Sequence, residues 1–478
     1  MKIAMIASEA NPLCKSGGLA DVTYALSREL NQNGHEAIII LPYYKSIKNK
    51  PFDVKYLKYY YISMSWRNQY VGVCEVLIDG IKYYLIDNEY YFNRDGLYGY
   101  DDDQERFAYF SIAAIALLKA IDFKADIVHL HDWQGAMVPC LLKYRFGSDP
   151  FYQKMKTVLT IHNPAFKGYM DRYFLGNYFE LSDELFDNGS VRFEGQVSTL
   201  KAGIVYSDMI TTVSPTHRNE LLTPDLSHGL SGILEMRKDD FVGIVNGVDV
   251  VEFNPKTDKK IAKNYSKDAF ISGKKACKVD LLKSFNMPLS NGPVFGLVSR
   301  LTWQKGIDLI VSNVSYLVSR GAKIIILGSG EYDLEQKFQH LRDAYPNDVG
   351  IYIGYNDTLA HKVYAGSDFF LMPSLFEPCG IGQIIAQRYG SLPIVRETGG
   401  LVDTVVGYNF HNDDYATGVS FLDYDPVRLG EACNVALEIF YGDKNRFNKL
   451  RKNALKLDRS WKNSMDKYLD IYRKALNK

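Results

Sequence analysis

The sequence predicts an α/β protein with two open, parallel sheets, one per domain, facing a common interdomain cleft. Three observations carry this reading. The chain has 478 residues, past the size at which one core keeps growing, so two domains of roughly 200–250 residues are the default. Short apolar runs alternate with helical patterns and glycine turns in two separate series, one on each side of a polar stretch over 256–293. Residues able to bind anions or sugars fall at the ends of those runs, where open α/β sheets hold their ligands.

The first series begins with a continuous apolar run over 2–8, of strand length. Residues 20–33 follow with helical spacing at Val22, Ala25, Leu26 and Leu30, Gly34 ends that helix, and 37–41 is the next buried strand. Strand, glycine loop, helix and strand open a parallel sheet covered on both faces. The rhythm returns at 127–130, 157–161 and 209–213. The second series has strands at 294–299, 323–327, 350–353, 369–372 and 392–395, with a helix over 307–318. The intervening polar stretch is rich in Lys, Asn and Ser and helical in its middle, 269–285. The domain boundary therefore falls after the apolar run 241–245, giving domains 1–245 and 246–460. The apolar spacing of 461–476 predicts a final helix, and residues 461–478 are expected to pack back on the N-terminal domain.

Bulk properties exclude several classes. Lys+Arg and Asp+Glu both number 56, and this zero net charge argues against nucleic acid or an anionic membrane surface as partner. The apolar run after Met1 is too short for a secretory signal, and no run is long enough to span a membrane. Six cysteines (14, 74, 140, 277, 379, 433) show no paired spacing, which reads as reduced thiols of a cytoplasmic protein and not as disulfides or a zinc site. Tyrosine is frequent, at 35 residues, with clusters such as Tyr59-Tyr60-Tyr61. Composition bias accounts for this; the functional alternative is a surface whose aromatic faces stack on pyranose rings.

Each motif has a chemical and a plain structural reading. Lys15-Ser16-Gly17-Gly18-Leu19 precedes a helix. Paired glycines let backbone amides approach an anion, the helix dipole favours negative charge there, and Lys15 adds a full positive charge. The plain reading is a tight turn with an exposed lysine. His129, His131 and Asp132 offer metal ligands on one strand face, hydrogen bonds to hydroxyls, or histidines satisfied at a strand end. Arg300 and Lys305 place two cations at the start of a helix, against its dipole, which argues for a phosphate between them. Glu377, in Ser374-Leu375-Phe376-Glu377-Pro378-Cys379-Gly380, is a carboxylate on a rigid turn. From the residues alone it is a nucleophile, a general base or an acceptor for sugar hydroxyls.

With these motifs in hand, the chain resembles the bacterial glycogen synthases and plant starch synthases over nearly its whole length. The resemblance rests on Lys15 to Val22, His129-Leu130-His131-Asp132-Trp133, Thr160-Ile161-His162-Asn163, Asn246-Gly247-Val248-Asp249, Ser299 to Gly306 and Pro373 to Gly380. It implies a GT-B fold of two Rossmann-like domains and a retaining transfer of glucose from ADP-glucose to the non-reducing 4-hydroxyl of an α-1,4-glucan. The donor is then a substrate, no cofactor or metal is expected, and the partners are nucleotide sugar and glucan. Carried over by motif, Lys15, Arg300 and Lys305 neutralise the leaving diphosphate, with backbone donors at Gly17, Gly18, Cys379, Gly380, Ile381 and Gly382. His162 sits beside the glucosyl ring, and Glu377 holds and orients the sugar. Asp132, Asn163 and Asn246 bind hydroxyls, and Tyr355 stacks on adenine. One departure is Ile381-Gly382, where the family usually has Leu and a residue larger than glycine; the amides survive, and any side-chain contact there is lost. The tyrosines from Tyr90 to Tyr100 are expected to border the site. Alternatives of the same fold are a UDP-glucose-dependent retaining glycosyltransferase and a nucleotide-sugar epimerase. Oligomeric state is not readable.

Overall fold

The structure, a computed structural model describing residues 1–478, divides into two units: Met1–Ile244 with Trp461–Lys478, and Val245–Ser460. In unit 1 the strands are β1 (Lys2–Ile6), β2 (Glu36–Pro42), β3 (Lys55–Met64), β4 (Arg67–Ile78), β5 (Ile81–Asp87), β6 (Ile127–His131), β7 (Lys156–Ile161), β8 (Tyr169–Met170), β9 (Arg192–Phe193), β10 (Gln196–Ser198), β11 (Met209–Thr212) and β12 (Phe241–Gly243). Nine of them form one sheet in the order β12-β11-β7-β6-β1-β2-β5-β4-β3, and β8, β10 and β9 form a separate small sheet.

From β12 to β5 every pairing in the large sheet is parallel. The last two pairings, β5–β4 and β4–β3, are antiparallel, so the sheet is mixed where the sequence reading has a parallel one. The cause is local. Asp79-Gly80 joins β4 to β5 with φ of +50° and +79°, the turn whose twist matches a hairpin. The helix Gly18–Gln32 buries Leu19, Val22, Ala25, Leu26 and Leu30 along one stripe. The helix Asp103–Ala120 has buried residues on all sides, and the Tyr60 hydroxyl of β3 donates to its Ala113 carbonyl at 2.7 Å. The closing helix, Trp461–Leu476, buries Trp461, Met465, Tyr468 and Tyr472 in the unit 1 core.

Unit 2 holds β13 (Val294–Val298), β14 (Lys323–Gly328), β15 (Val349–Ile353), β16 (Phe369–Met372), β17 (Leu392–Arg396) and β18 (Val419–Phe421), all parallel, in the order β15-β14-β13-β16-β17-β18. Side-chain alternation sorts this sheet into two cores. Phe295, Leu297, Ile324, Ile326, Phe369 and Leu371 join one cluster, while Val294, Ile325, Leu327, Phe370 and Met372 join the other. A strand buried on both faces reads as an unbroken apolar run, which is why these strands stand out in the sequence.

In both sheets the strand order reverses beside the first strand. In unit 1, β1 lies between β6 and β2; in unit 2, β13 lies between β14 and β16. The chain leaves those strands on opposite sides, which opens a crevice at their carboxyl ends.

Candidate active site

In unit 2 the loop after β13 and the loop after β16 meet across that reversal. Lys305 closes a short 3₁₀ turn, Trp303–Lys305, and Gly306 follows at φ +68°. A Cβ on Gly306 would lie 2.1 Å from the Pro373 carbonyl oxygen, so the two loops touch only because this residue is glycine. The Leu375 backbone amide donates to the Gln304 backbone carbonyl at 2.9 Å, and the Gln304 side-chain Nε2 donates to the Phe376 carbonyl at 3.3 Å. Across this seam the Lys305 ammonium donates to Glu377 Oε2 at 2.5 Å, and the Ser374 hydroxyl donates to the same oxygen at 3.1 Å. Both charged side chains are largely buried, at 16% and 8% exposure. Arg396, at the end of β17, braces the turn by donating to the carbonyls of Ser374 (2.9 Å) and Leu375.

Arg300 differs from Lys305. It is exposed, and its guanidinium makes no ion pair or hydrogen bond within the chain. Tyr355, just past β15, shows 85% of its surface. Asn246 is buried, and its side-chain oxygen has no partner. The Asn246 backbone hydrogen-bonds the buried Cys379 sulfur, whose thiol is pushed up to about 12 by burial. Gly380 turns at φ +71°, and the helix Gly382–Arg388 starts two residues on.

In unit 1 the equivalent loops follow β1 and β6. The Ser16 and Gly17 amides both donate to the Glu9 carboxylate, the latter at 3.2 Å. The Ser16 hydroxyl donates to it at 2.6 Å and the Tyr98 hydroxyl at 2.8 Å. An internal carboxylate thus occupies the loop that the sequence reading assigns to an external anion, and the Gly17 amide is not free for one. Lys15 is held as well, with its ammonium 2.8 Å from Asp21.

His129 and His131 lie within β6, one residue longer than the predicted strand, on one face as the sequence reading has them, with rings 4.4 Å apart. Both nitrogens of His129 are engaged, Nδ1 with the Tyr472 hydroxyl (2.8 Å) and Nε2 with the Thr160 hydroxyl (2.7 Å). It is a packing residue with no lone pair left for a ligand. His131 Nδ1 meets His162 Nε2 at 3.0 Å, and His131 Nε2 is buried without a partner. Asp132 sits at φ +54°, a left-handed backbone that aspartate tolerates better than most residues. Its Oδ1 accepts from the amides of His162 (2.7 Å) and Asn163 (3.2 Å). Burial pushes its carboxyl up to about 7 despite those two donors. Burial also pushes His129 and His162 down to about 3, and His131 well below its usual range. All three imidazoles are therefore neutral at pH 7.

A model of the starch synthase catalytic domain matches residues 2–236, and a model of group 1 glycosyl transferases matches 292–436. The chain is 42% identical over its full length to the glycogen synthase of Clostridium kluyveri, covering all of that protein. The chain belongs to the glycogen synthase family. It is also 45% identical to the Clostridium perfringens glycogen synthase, with all of this chain and 98% of that protein covered. Among solved structures, the catalytic domain of Arabidopsis thaliana starch synthase IV, bound to ADP and acarbose, superposes with TM-score 0.92 at 29% identity, covering 100% of this chain and 99% of that one. The chain is thus a glycosyltransferase of GT-B fold. No helix in it is long and apolar enough to cross a membrane.

Several residues around the candidate site carry no signal in the sequence. Glu9 and Arg396 act on backbone groups of loops whose paths the sequence does not reveal, and Ser374, inside the Glu377 motif, turns its hydroxyl onto that carboxylate. Tyr98 had a signal, since the stretch 90–100 was expected to border the site, and its hydroxyl reaches Glu9. A group of possible metal ligands, Glu252, Asp357 and His361, is already bridged by Lys260, whose ammonium lies 2.5 Å from Asp357 and 3.2 Å from His361 Nε2.

Proposed function

We propose that this enzyme transfers glucose from ADP-glucose to the non-reducing 4-hydroxyl of an α-1,4-glucan, with retention at the anomeric carbon and with no metal ion or cofactor. The observation that carries the reading is the contrast between the two cations after β13. Lys305 is stored on Glu377, while Arg300 stands exposed with no counter-ion. Such an arrangement suits a ligand that brings its own negative charge. When a nucleoside diphosphate arrives, its oxygens supply what Arg300 lacks and offer Lys305 a second acceptor. Preorganised cations then stabilise the charge that develops as the diphosphate leaves, in the way a metal would.

Glu377 holds and orients the sugar in this scheme. A carboxylate already gripped by an ammonium and a hydroxyl is a poor nucleophile, and the same grip fixes it to accept from glucose hydroxyls. Asn246, whose buried side-chain oxygen lacks a donor, takes another hydroxyl. Lys15 adds positive charge from unit 1, with donors at Gly18, Gly380, Ile381 and Gly382. His162, kept neutral by burial, places its backbone carbonyl beside the anomeric centre without adding a charge hostile to an oxocarbenium ion. Asp132 and Asn163 bind sugar hydroxyls, and the exposed Tyr355 ring stacks on adenine. The co-crystallised ADP of the Arabidopsis relative supports an adenine nucleotide.

The test is incorporation of labelled glucose from ADP-glucose or UDP-glucose, with and without glycogen, and with EDTA. The expected result is polymer from ADP-glucose, dependent on glycogen and unchanged by chelator. Preference for UDP-glucose overturns the donor assignment, and loss in EDTA restored by Mg²⁺ or Mn²⁺ overturns the metal-free scheme. Donor turnover without acceptor points to an epimerase.

A further inference from the structure

Strand order in unit 2 puts β17 beside β16 and leaves β18 at the sheet edge, three strands from β13. Both late strands nevertheless send a side chain to the loops that carry Lys305 and Glu377. Arg396, the last residue of β17, donates from Nε to the Ser374 carbonyl at 2.9 Å, from Nη2 to that of Leu375, and from Nη1 to that of Leu422 at 3.2 Å. Further along the same segment, the Gly400 amide donates to the carbonyls of Glu377 (3.1 Å) and Pro378 (3.2 Å). The Glu377 turn is thus held along its whole backbone. Past β18, the Tyr424 hydroxyl lies 2.6 Å from Asp308 Oδ1, in the first turn of the helix Ile307–Ser319, and 3.2 Å from the Trp303 carbonyl. That carbonyl also accepts from the Gly306 amide at 3.0 Å, so the hydroxyl joins the turn that presents Lys305. The edge strand reaches over about 14 Å, three strand spacings, because the helix that follows it packs back toward β13. There the Asn313 side-chain amide donates to the Pro426 carbonyl at 2.9 Å. The Arg396 guanidinium lies 5.9 Å from the centre of the Tyr424 ring, within the range at which a cation and an aromatic face attract.

We propose that Arg396 and Tyr424 are positioning residues for glucosyl transfer: together they form a bracket that sets the spacing of the Lys305 and Glu377 loops without touching substrate. The inference rests on the reading that those two loops carry the reaction. Arg396 ties the Glu377 turn to β17, and Tyr424 ties the Lys305 turn to the end of β18. The two anchor points move as one, because Arg396 pairs with Phe421 in the β17–β18 register. The seam at Gln304 and Gly306 keeps the loops in contact, and the bracket fixes each of them to the sheet as well. Arginine suits this place because its planar fork aims several donors at once, whereas lysine supplies a single flexible point charge. The same geometry separates Arg396 from Arg300. Three nitrogens of Arg396 are directed at backbone carbonyls, so its work is on the protein and not on a diphosphate. A reacting group displaced by about 1 Å loses about 10²-fold in rate, so a spacer that touches no substrate still governs turnover.

The test uses the full-length enzyme at a temperature where circular dichroism shows each variant folded. Arg396→Ala is expected to lower kcat about tenfold, less than a full 1 Å misplacement would, because the Gly306 seam remains. Its KM for ADP-glucose should move by less than about threefold, since the groups that bind the donor are all still present. Tyr424→Phe keeps the ring, loses the hydroxyl, and should lower kcat about threefold in the same way. Arg396→Lys keeps the charge without the fork and should resemble the alanine variant. In a Lys305→Met background, Arg396→Ala should cost less than about twofold more, because residues that act through one another do not add. A purely structural arginine would instead multiply the two losses. Multiplied losses, a lysine variant with wild-type kcat, or a raised KM with kcat unchanged each overturn the proposal. Acetylation of Lys305, read by peptide mass mapping, needs no turnover. It should quicken about threefold or more in Arg396→Ala and Tyr424→Phe as the seam opens, with Lys15 reacting as in wild type. Equal Lys305 rates in wild type and both variants overturn the bracket. A wild type that transfers no glucose, while the variants still expose Lys305, sinks the proposed reaction and leaves the bracket standing.

Discussion

Replacing Lys305 by methionine separates what the Lys305–Glu377 pair does for the fold from what it does for the reaction. Methionine keeps most of the side-chain volume and removes the charge. Glu377 would then remain buried with only the Ser374 hydroxyl, which donates one hydrogen bond but cancels no charge. Breaking a buried pair by removing one partner costs about 3–5 kcal/mol. Lys305 retains some solvent access, so the lower end applies, about 3 kcal/mol. At about 2–4 °C per kcal/mol for a unit of this size, the unit 2 transition should fall by roughly 6–12 °C. Activity should fall by about 10²-fold or more, the loss seen when one preorganised donor is removed. Lys305→Met/Glu377→Gln should recover most of the melting temperature, because no uncompensated carboxylate remains, and should stay inactive. Differential scanning calorimetry and initial rates with ADP-glucose and glycogen read the two effects separately. A Lys305→Met enzyme melting within about 2 °C of wild type, or working within threefold of it, refutes the reasoning, as does a double variant no more stable than the single one.

Three further outcomes follow from the same geometry. Arg300→Ala should leave the melting temperature unchanged, because the guanidinium has no partner in the fold, yet lower kcat by about 10²-fold; a change under threefold removes Arg300 from the diphosphate role. Gly306→Ala should destabilise unit 2 by about 2 kcal/mol or more, since a left-handed alanine costs about 1–2 kcal/mol before its clash with the Pro373 carbonyl is counted, and should lower kcat by displacing Lys305; wild-type stability and rate would show that the seam is not needed. Acidification should destabilise unit 1. The folded pKa values of buried His129 and His131 lie below the usual 6.5, so the unfolded chain binds protons there first, and each site removes about 1.4 kcal/mol per pH unit below 6.5. Asp132, raised to about 7, acts in the opposite sense between its usual 3.8 and 7 and offsets one of them. His162 adds to the loss, so a net fall of at least about 1.4 kcal/mol per unit remains, and a melting temperature that is flat from pH 6.5 to 5 contradicts the assignment.

The fold was most legible where burial makes its own pattern. Phe369–Met372 and Trp461–Leu476 have the boundaries their apolar spacing predicts, because a fully buried strand and a one-sided helix each leave a clear period. The helix Asp103–Ala120 left none, since it is buried all round and has no polar face to set a phase. The β4–β5 hairpin carries a signal of its own, Asp79-Gly80, whose residues both take positive φ. At the candidate site, Lys305 and Glu377 were recognisable by type. Glu9 and Arg396 were not, because their partners are backbone amides and carbonyls whose directions depend on loop path.

The order of residues by itself determined that the chain alternates buried strands with helices in two series, and which charged and glycine residues stand at the strand ends. It did so because burial and backbone freedom act locally, within a few residues. Only the tertiary structure decided which of those residues meet. Lys305 reaches Glu377 across 72 residues because strand order reverses between β13 and β16, and Tyr472 reaches His129 across 343 because the last helix lies in the unit 1 core. Contacts of that range are set by how sheets and helices stack, and no local pattern records them.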